Sequence, residues 1–205
     1  MDEEFKARLQ LYTLYNYVAQ NWGHHARAAS SNVGPVLLDF LESEAKVSSS
    51  IQALMIFGNS PGYSQFWPKQ LRGVHLTAYF GLEEAMIVLL KNGHDPDSED
   101  DDGRAPLSLA AENGHEAVVK ELLTIERVNA DSKDYYTSQT PLSIAAERGH
   151  EAVVKQLLAT AKVNPDSMDS NGWTLSWAAE NGLEAVAQLL ATERSTWTIK
   201  TITAA

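Results

Sequence analysis

Gln139-Thr140-Pro141-Leu142-Ser143-Ile144-Ala145-Ala146-Glu147-Arg148-Gly149-His150-Glu151-Ala152-Val153-Val154-Lys155-Gln156-Leu157-Leu158 decides the fold. Thr140 is placed to cap a helix whose first residue is Pro141, because proline has no amide hydrogen to lose at that position. Leu-Ser-Ile-Ala-Ala then gives a short helix with small residues where neighbouring elements stack closely. Gly149 ends it, since glycine tolerates the left-handed backbone of a helix end. Glu151 to Leu158 is a second helix with Val153, Val154, Leu157 and Leu158 on one face. The stretch therefore predicts a helix–turn–helix unit.

Three other stretches repeat it: PLSLAAENGHEAVVKELL from Pro106 to Leu123, TLSWAAENGLEAVAQLL from Thr174 to Leu190, and a weaker GVHLTAYFGLEEAMIVLL from Gly73 to Leu90. Their glycines Gly81, Gly114, Gly149 and Gly182 are spaced 33, 35 and 33 residues apart, a period that marks a stacked repeat array. Polar, turn-rich stretches such as 163–172 lie between units and suit protruding hairpin-like loops. These residues resemble the ankyrin repeat family, whose pattern Gly-x-Thr-Pro-Leu-His-x-Ala-Ala, then Gly-His, then a Val/Leu-rich helix, is matched most closely by Gln139 to Leu158. The resemblance implies an all-α ankyrin-repeat solenoid with hairpin fingers and inner helices lining a concave groove. Four units are expected at about 70–101, 102–136, 137–170 and 171–194, after a helical cap at 1–69 and before a tail at 195–205.

The departures from the family pattern are specific. Gly73 stands where the first unit's proline belongs, Ala105 replaces threonine in the second, and serine at 108, 143 and 176 replaces the family histidine kept as His75. The fourth unit lacks the proline and is one residue short in its second helix, which turns that helix's apolar face by ~100°. It is expected to be a terminal or degenerate copy.

Before the repeats, Phe5, Leu9, Leu11, Tyr12, Leu14, Tyr15, Val18 and Trp22 form a broad apolar helical face. A second helix is predicted from Pro35 to Lys46 and a third after Ser49, whose spacing to Gln52 suits a capping box. The segment Tyr12 to Ala29 looks like the region joining the nucleotide-binding and ankyrin parts of fungal NACHT-ankyrin proteins. The Gly-x-x-x-x-Gly-Lys-Ser/Thr loop of those signalling ATPases is absent from these residues, so the likeness carries only the sensing end and no ATPase activity.

Composition narrows the function classes. The 205 residues are 44% hydrophobic, enough to build a sizeable core, and the formal charge of −11 repels phosphate backbones and anionic membranes. Without cysteine there is no disulfide, zinc-thiolate site or thiol nucleophile. No apolar run approaches ~18 residues, and the acidic Met1-Asp2-Glu3-Glu4 start has no signal-peptide pattern. The expectation is a soluble cytoplasmic chain that binds neither nucleic acid nor membrane.

Candidate chemistry is sparse. His75, His115 and His150 fall where the family hydrogen-bonds backbone between turns; His24 and His25 are adjacent rather than at metal-ligand spacing; His94 beside Asp95 suits a solvated turn. Six of the eight residues from Asp95 to Asp102 are acidic, a density that suits a solvated finger or attracts a basic partner. No catalytic residue, metal ligand or cofactor is assigned. The family's groove positions, carried over from the resemblance, fall on Tyr79, Phe80, Arg104, Glu112, Asn113, Tyr135, Tyr136, Glu147, Arg148, Met168 and Trp173. Tyr, Trp, Met and Arg favour interface centres, although Tyr135 or Tyr136 could instead pack on the neighbouring finger. The expected function is non-enzymatic recognition of a protein or peptide, basic in character. The alternative is a small enzyme or small-molecule binder with a pocket between cap and first repeats, built on the aromatic cluster from Tyr12 to His25, whose simpler reading is the cap's own core. A third expectation is self-association through the fourth unit and the Thr196-Trp197-Thr198-Ile199 tail.

Overall fold

A computed structural model describes residues 21–28, 34–55, 70–160, 162–164, 188 and 191; the fourth unit's predicted site residues, Met168 and Trp173 among them, lie outside these, as does most of the first apolar face. The described residues are helical, without strands: α1 (21–28), α2 (Pro35–Glu42), α3 (Glu44–Met55), α4 (Gly73–Phe80), α5 (Glu83–Lys91), α6 (Pro106–Glu112), α7 (Glu116–Thr124), α8 (Pro141–Glu147) and α9 (Glu151–Leu158).

Helices α4–α9 are three successive helix pairs. The first helices stack α4 on α6 and α6 on α8, and the second helices stack α5 on α7 and α7 on α9. Close approach follows from the small residues of each first helix: Ala110, Ala111, Ala145 and Ala146 are fully or almost fully buried beside Leu107 and Leu142. From the second helices Val118, Val119, Leu122, Val153, Val154 and Leu157 complete one continuous core. The turn glycines take the left-handed backbone that their sequence position predicts, at φ 70° (Gly81), 69° (Gly114) and 73° (Gly149).

Thr140 caps α8 as expected. Its hydroxyl accepts from the Ser143 amide (3.2 Å), while the Ser143 hydroxyl oxygen accepts from the Thr140 amide (2.8 Å), a reciprocal box. In α4 the ring of His75 plays the serine's part: Nδ1 accepts from the Arg72 amide (3.0 Å). Its Nε2 bonds the Ser98 carbonyl at 2.9 Å, so the tautomer carries its hydrogen on Nε2 and ties the helix to the following finger.

The cap differs from expectation. The predicted helix from Pro35 to Lys46 breaks at Ser43, which is extended (φ −90°, ψ 104°) and whose carbonyl accepts from the Val47 amide to start α3. Ser49 is therefore inside a helix rather than at its start, and its hydroxyl bonds back to the Ala45 carbonyl at 2.8 Å. Docking of the cap explains a departure from the repeat pattern. A Cβ built on Gly73 would lie 2.2 Å from the Leu41 carbonyl oxygen, so the position that holds proline in the next two units must be glycine where α2 backs onto α4.

Candidate functional site

Each of the two described fingers is organised by an aspartate. The Asp100 carboxylate, buried, accepts from the amides of Asp102 (3.0 Å) and Arg104 (2.9 Å) and from Arg104 Nε (3.0 Å). Asp134 does the same one unit on, accepting from the amides of Tyr136 (2.9 Å), Thr137 (2.7 Å) and Gln139 (2.8 Å) and from the Thr137 hydroxyl. Burial pushes the Asp134 carboxyl up, but these donated hydrogen bonds together outweigh it and hold the group below its ordinary range. Three residues earlier in each finger, Asp97 accepts from the Asn129 amide (3.0 and 3.2 Å) and Asp131 from the Asn164 amide (2.9 Å), linking each finger to the next. Within the stretch 95–102, Asp95, Asp97 and Asp100 accept from backbone amides and Glu99 and Asp102 pair with side chains, while Asp95, Glu99 and Asp101 stay exposed, so the finger is solvated, as expected, and also braced. The signal was present in the recurrence Asp97-Ser98-Glu99-Asp100, Asp131-Ser132-Lys133-Asp134, Asp166-Ser167-Met168-Asp169.

The longer spacing from Gly114 to Gly149, 35 residues against 33, also has a local cause. Leu90 to Asp97 is seven residues and Leu123 to Asp131 eight; Asp100 to Arg104 is four and Asp134 to Gln139 five. The second insertion puts Ser138 at φ 55°, the left-handed place held by Gly103 (φ 76°) in the shorter finger, and makes room for the paired tyrosines.

Between the second and third units lies a cleft of about 230 Å³, lined by Asp102, Arg104, Glu112, Asp134, Tyr136, Thr137, Gln139, Ile144, Glu147 and Arg148. Five of the predicted groove residues meet there: Arg104, Glu112, Tyr136, Glu147 and Arg148. Arg104 is held against Asp100 (2.9 Å) and Asp102 (3.2 Å), and Arg148 spans the units to Glu112 (2.8 Å). Glu147 accepts from the Gln139 side-chain Nε2. Burial raises the Asp102 carboxyl, with Arg104 offsetting and Asp100, Asp101 and Asp134 adding to the rise. Tyr136 is 76% exposed, its ring left in water while its backbone is fixed by Asp134. Sequence reasoning missed the cleft's Asp102, Asp134, Thr137, Gln139 and Ile144.

The other predicted site residues lie elsewhere. Tyr135 packs on the neighbouring finger: its ring stands where a side chain on Gly103 would be, its amide bonds the Asp102 carbonyl (2.9 Å), and its hydroxyl donates to Glu99. Asn113, half-buried, donates to the Leu109 carbonyl at the end of α6. Phe80 is a correction: it is buried, not groove-facing, because α1 covers it. Its ring meets Trp22 (4.9 Å), Tyr79 (5.0 Å) and His24 (5.4 Å) edge-on, and Gly23 lies against its face. Trp22 also packs edge-on against Phe40 (4.9 Å) and donates to the Ser50 hydroxyl. The described part of the cap–repeat junction is therefore occupied by packed rings, the core reading of that aromatic cluster.

The repeat histidines His75, His115 and His150 hydrogen-bond backbone, as expected. His115 Nε2 bonds the Tyr79 carbonyl and His150 Nε2 the Glu112 carbonyl, both at 2.9 Å, and each ring rests on the preceding unit's turn glycine, Gly81 or Gly114. His75 is pulled down to about 4, first by burial, with Arg72 and Arg104 adding and Asp100 and the Ser98 carbonyl opposing.

Helix pairs repeated at this period, tied by histidine across turns and stapled by aspartate across fingers, define a helical-repeat solenoid. The family described as "Ankyrin repeats (3 copies)" matches residues 74–165 and again 126–200, together more than half of the chain; the chain belongs to the ankyrin-repeat family. Ankyrin repeats are generally protein–protein interaction modules, typically without enzymatic activity. Among the described residues no helix is long and apolar enough to cross a membrane.

Proposed function

We propose that the chain is a non-enzymatic recognition module that holds a segment of a partner protein in the cleft between its second and third repeats. The observation that carries this reading is Tyr136, a large aromatic ring 76% exposed on a backbone that is itself fixed by hydrogen bonds, lining a cleft of about 230 Å³. Rigid exposed aromatics supply contact area at little cost in conformational entropy, and they anchor interface centres. Arg104, Glu112, Glu147 and Arg148 surround it with charges already positioned by their neighbours. The likeness of 12–29 to the segment before the repeats in fungal NACHT-ankyrin proteins supports reading the array as the sensing end of a signalling chain. The test is selection of binders from a random peptide display library on the full chain, followed by Kd measurement. Tyr136→Ala is expected to weaken the selected peptides about tenfold or more; peptides indifferent to that change, or no enrichment, would remove the cleft from the function.

A further inference from the structure

The cleft is specific about charge. Its lining carries four carboxylates, Asp102, Glu112, Asp134 and Glu147, against two guanidinium groups, Arg104 and Arg148. Both arginines are engaged, Arg104 by Asp100 and Asp102 and Arg148 by Glu112, so neither is waiting for an acidic ligand. The Asp134 carboxylate is saturated by four donors, three amides and a hydroxyl, and serves as a fixed negative charge rather than a contact. Glu147 differs. It accepts one hydrogen bond, from the Gln139 side-chain amide to Oε2, which orients the carboxylate and leaves Oε1 without a hydrogen bond among the described residues, on a side chain that lines the cleft. Tyr136 adds an aromatic face with no ring stacked on it among the described residues and 76% of its surface in water.

We propose, resting on the recognition reading above, that the partner segment presents an arginine side chain to this cleft, its guanidinium stacked on the Tyr136 ring and paired with the Glu147 carboxylate. Charge decides against an acidic or neutral anchor. The lining is net negative by two, and further acids, Asp100 and Asp101, stand beside it in the adjoining finger. Shape decides for arginine over lysine: a planar guanidinium lies flat on a phenol ring while presenting a fork of donors to a carboxylate, which a tetrahedral ammonium cannot do at once. Ile144 provides an apolar wall in the same cleft against which the methylene stem can lie. The occupant is a peptide segment, because a free guanidine would use only the anchor and leave the rest of the cleft in water.

The experiment uses the peptides selected on the full chain, synthesised with a fluorophore and measured by anisotropy. The expected result is one arginine shared among binders, whose replacement by citrulline, the same shape without the charge, weakens binding about tenfold. Lysine at that position is expected to weaken it severalfold. Glu147→Gln tests the carboxylate contact, because it removes charge and lowers affinity for the arginine peptide but not for its citrulline counterpart, and Tyr136→Phe is the conservative control for the ring contact, keeping the aromatic face and the affinity. Lys120→Ala, on the exposed side of α7, is the control, and an unchanged melting temperature establishes that each variant folds. Binders that depend on Tyr136 yet carry no arginine, or tolerate citrulline, overturn the guanidinium proposal and leave the recognition reading standing. Binders that prefer lysine equally overturn it too. Binders indifferent to Tyr136→Ala, or none at all, overturn both.

Discussion

His75 makes the fold sensitive to acid. Its Nδ1 must remain an acceptor for the Arg72 amide while Nε2–H reaches the Ser98 carbonyl, so the folded chain requires the neutral ring. In the unfolded chain the group takes a proton near its ordinary 6.5, whereas the folded chain resists until about 4. Stability is therefore full above pH 6.5 and falls as pH drops through that window, by up to about 3 kcal/mol from this one residue. His115, lowered first by burial, with Arg27, His150 and His24 adding, slopes the same way. Asp97 and Asp131 oppose: burial raises both carboxyls, so their unfavourable ionisation is relieved on acidification. The His75 contribution is isolated by His75→Ser, the residue that stands at 108 and 143. Urea unfolding across pH 4–7 is expected to show a variant less stable at pH 7 but with a shallower slope; parallel slopes would mean that His75 does not carry the effect.

Among the elements, the departures from the repeat pattern divide into those a neighbour requires and those nothing requires. Gly73 is required, since Gly73→Pro would restore the repeat residue yet drive its Cβ into the Leu41 carbonyl. The variant is expected to lose about 2 kcal/mol or more, read as a lower urea midpoint. Ala105 is not required. It has the backbone of a cap residue (φ −79°, ψ 161°), close to Thr140 (φ −94°, ψ 162°), with Ser108 at the position of Ser143. Ala105→Thr supplies the missing hydroxyl and is expected to stabilise by about 1 kcal/mol; a destabilised variant would show that the second unit has no room for the threonine methyl. These elements also show what was legible. Thr140, Pro141 and Gly149 announce α8 because capping, proline and glycine act locally. The helix boundaries at Ser43 and Ser49 are not legible, because serine signals either a helix start or a back-bonded interior, and the choice rests on packing of α2 and α3 against α4 that no local pattern contains.

For the whole molecule, the repeat period exposed the fold, while the cleft was only half legible. Family position led to Arg104, Glu112, Tyr136, Glu147 and Arg148, but also to Phe80, which a unit lacking a preceding repeat turns toward its cap instead. Asp102 and Asp134 escape a sequence reading because acids in a finger read as solvated until their partners, the Arg104 guanidinium for one and three backbone amides for the other, are seen. The same acids set how the molecule meets a partner. A net charge of −11 acts over roughly a Debye length, about 10 Å at 0.1 M salt, and so on encounter more than on the docked state. For a selected basic peptide, raising sodium chloride from about 0.05 to about 0.5 M is expected to slow association severalfold while changing dissociation little. Tyr136→Ala is expected to do the reverse, because its ring contributes only after contact is made. Stopped-flow association and dissociation rates separate the two. Salt acting mainly on dissociation would place the peptide's charge in contact with the exposed finger acids rather than steered past them, and a Tyr136→Ala effect confined to association would take the ring out of the bound interface.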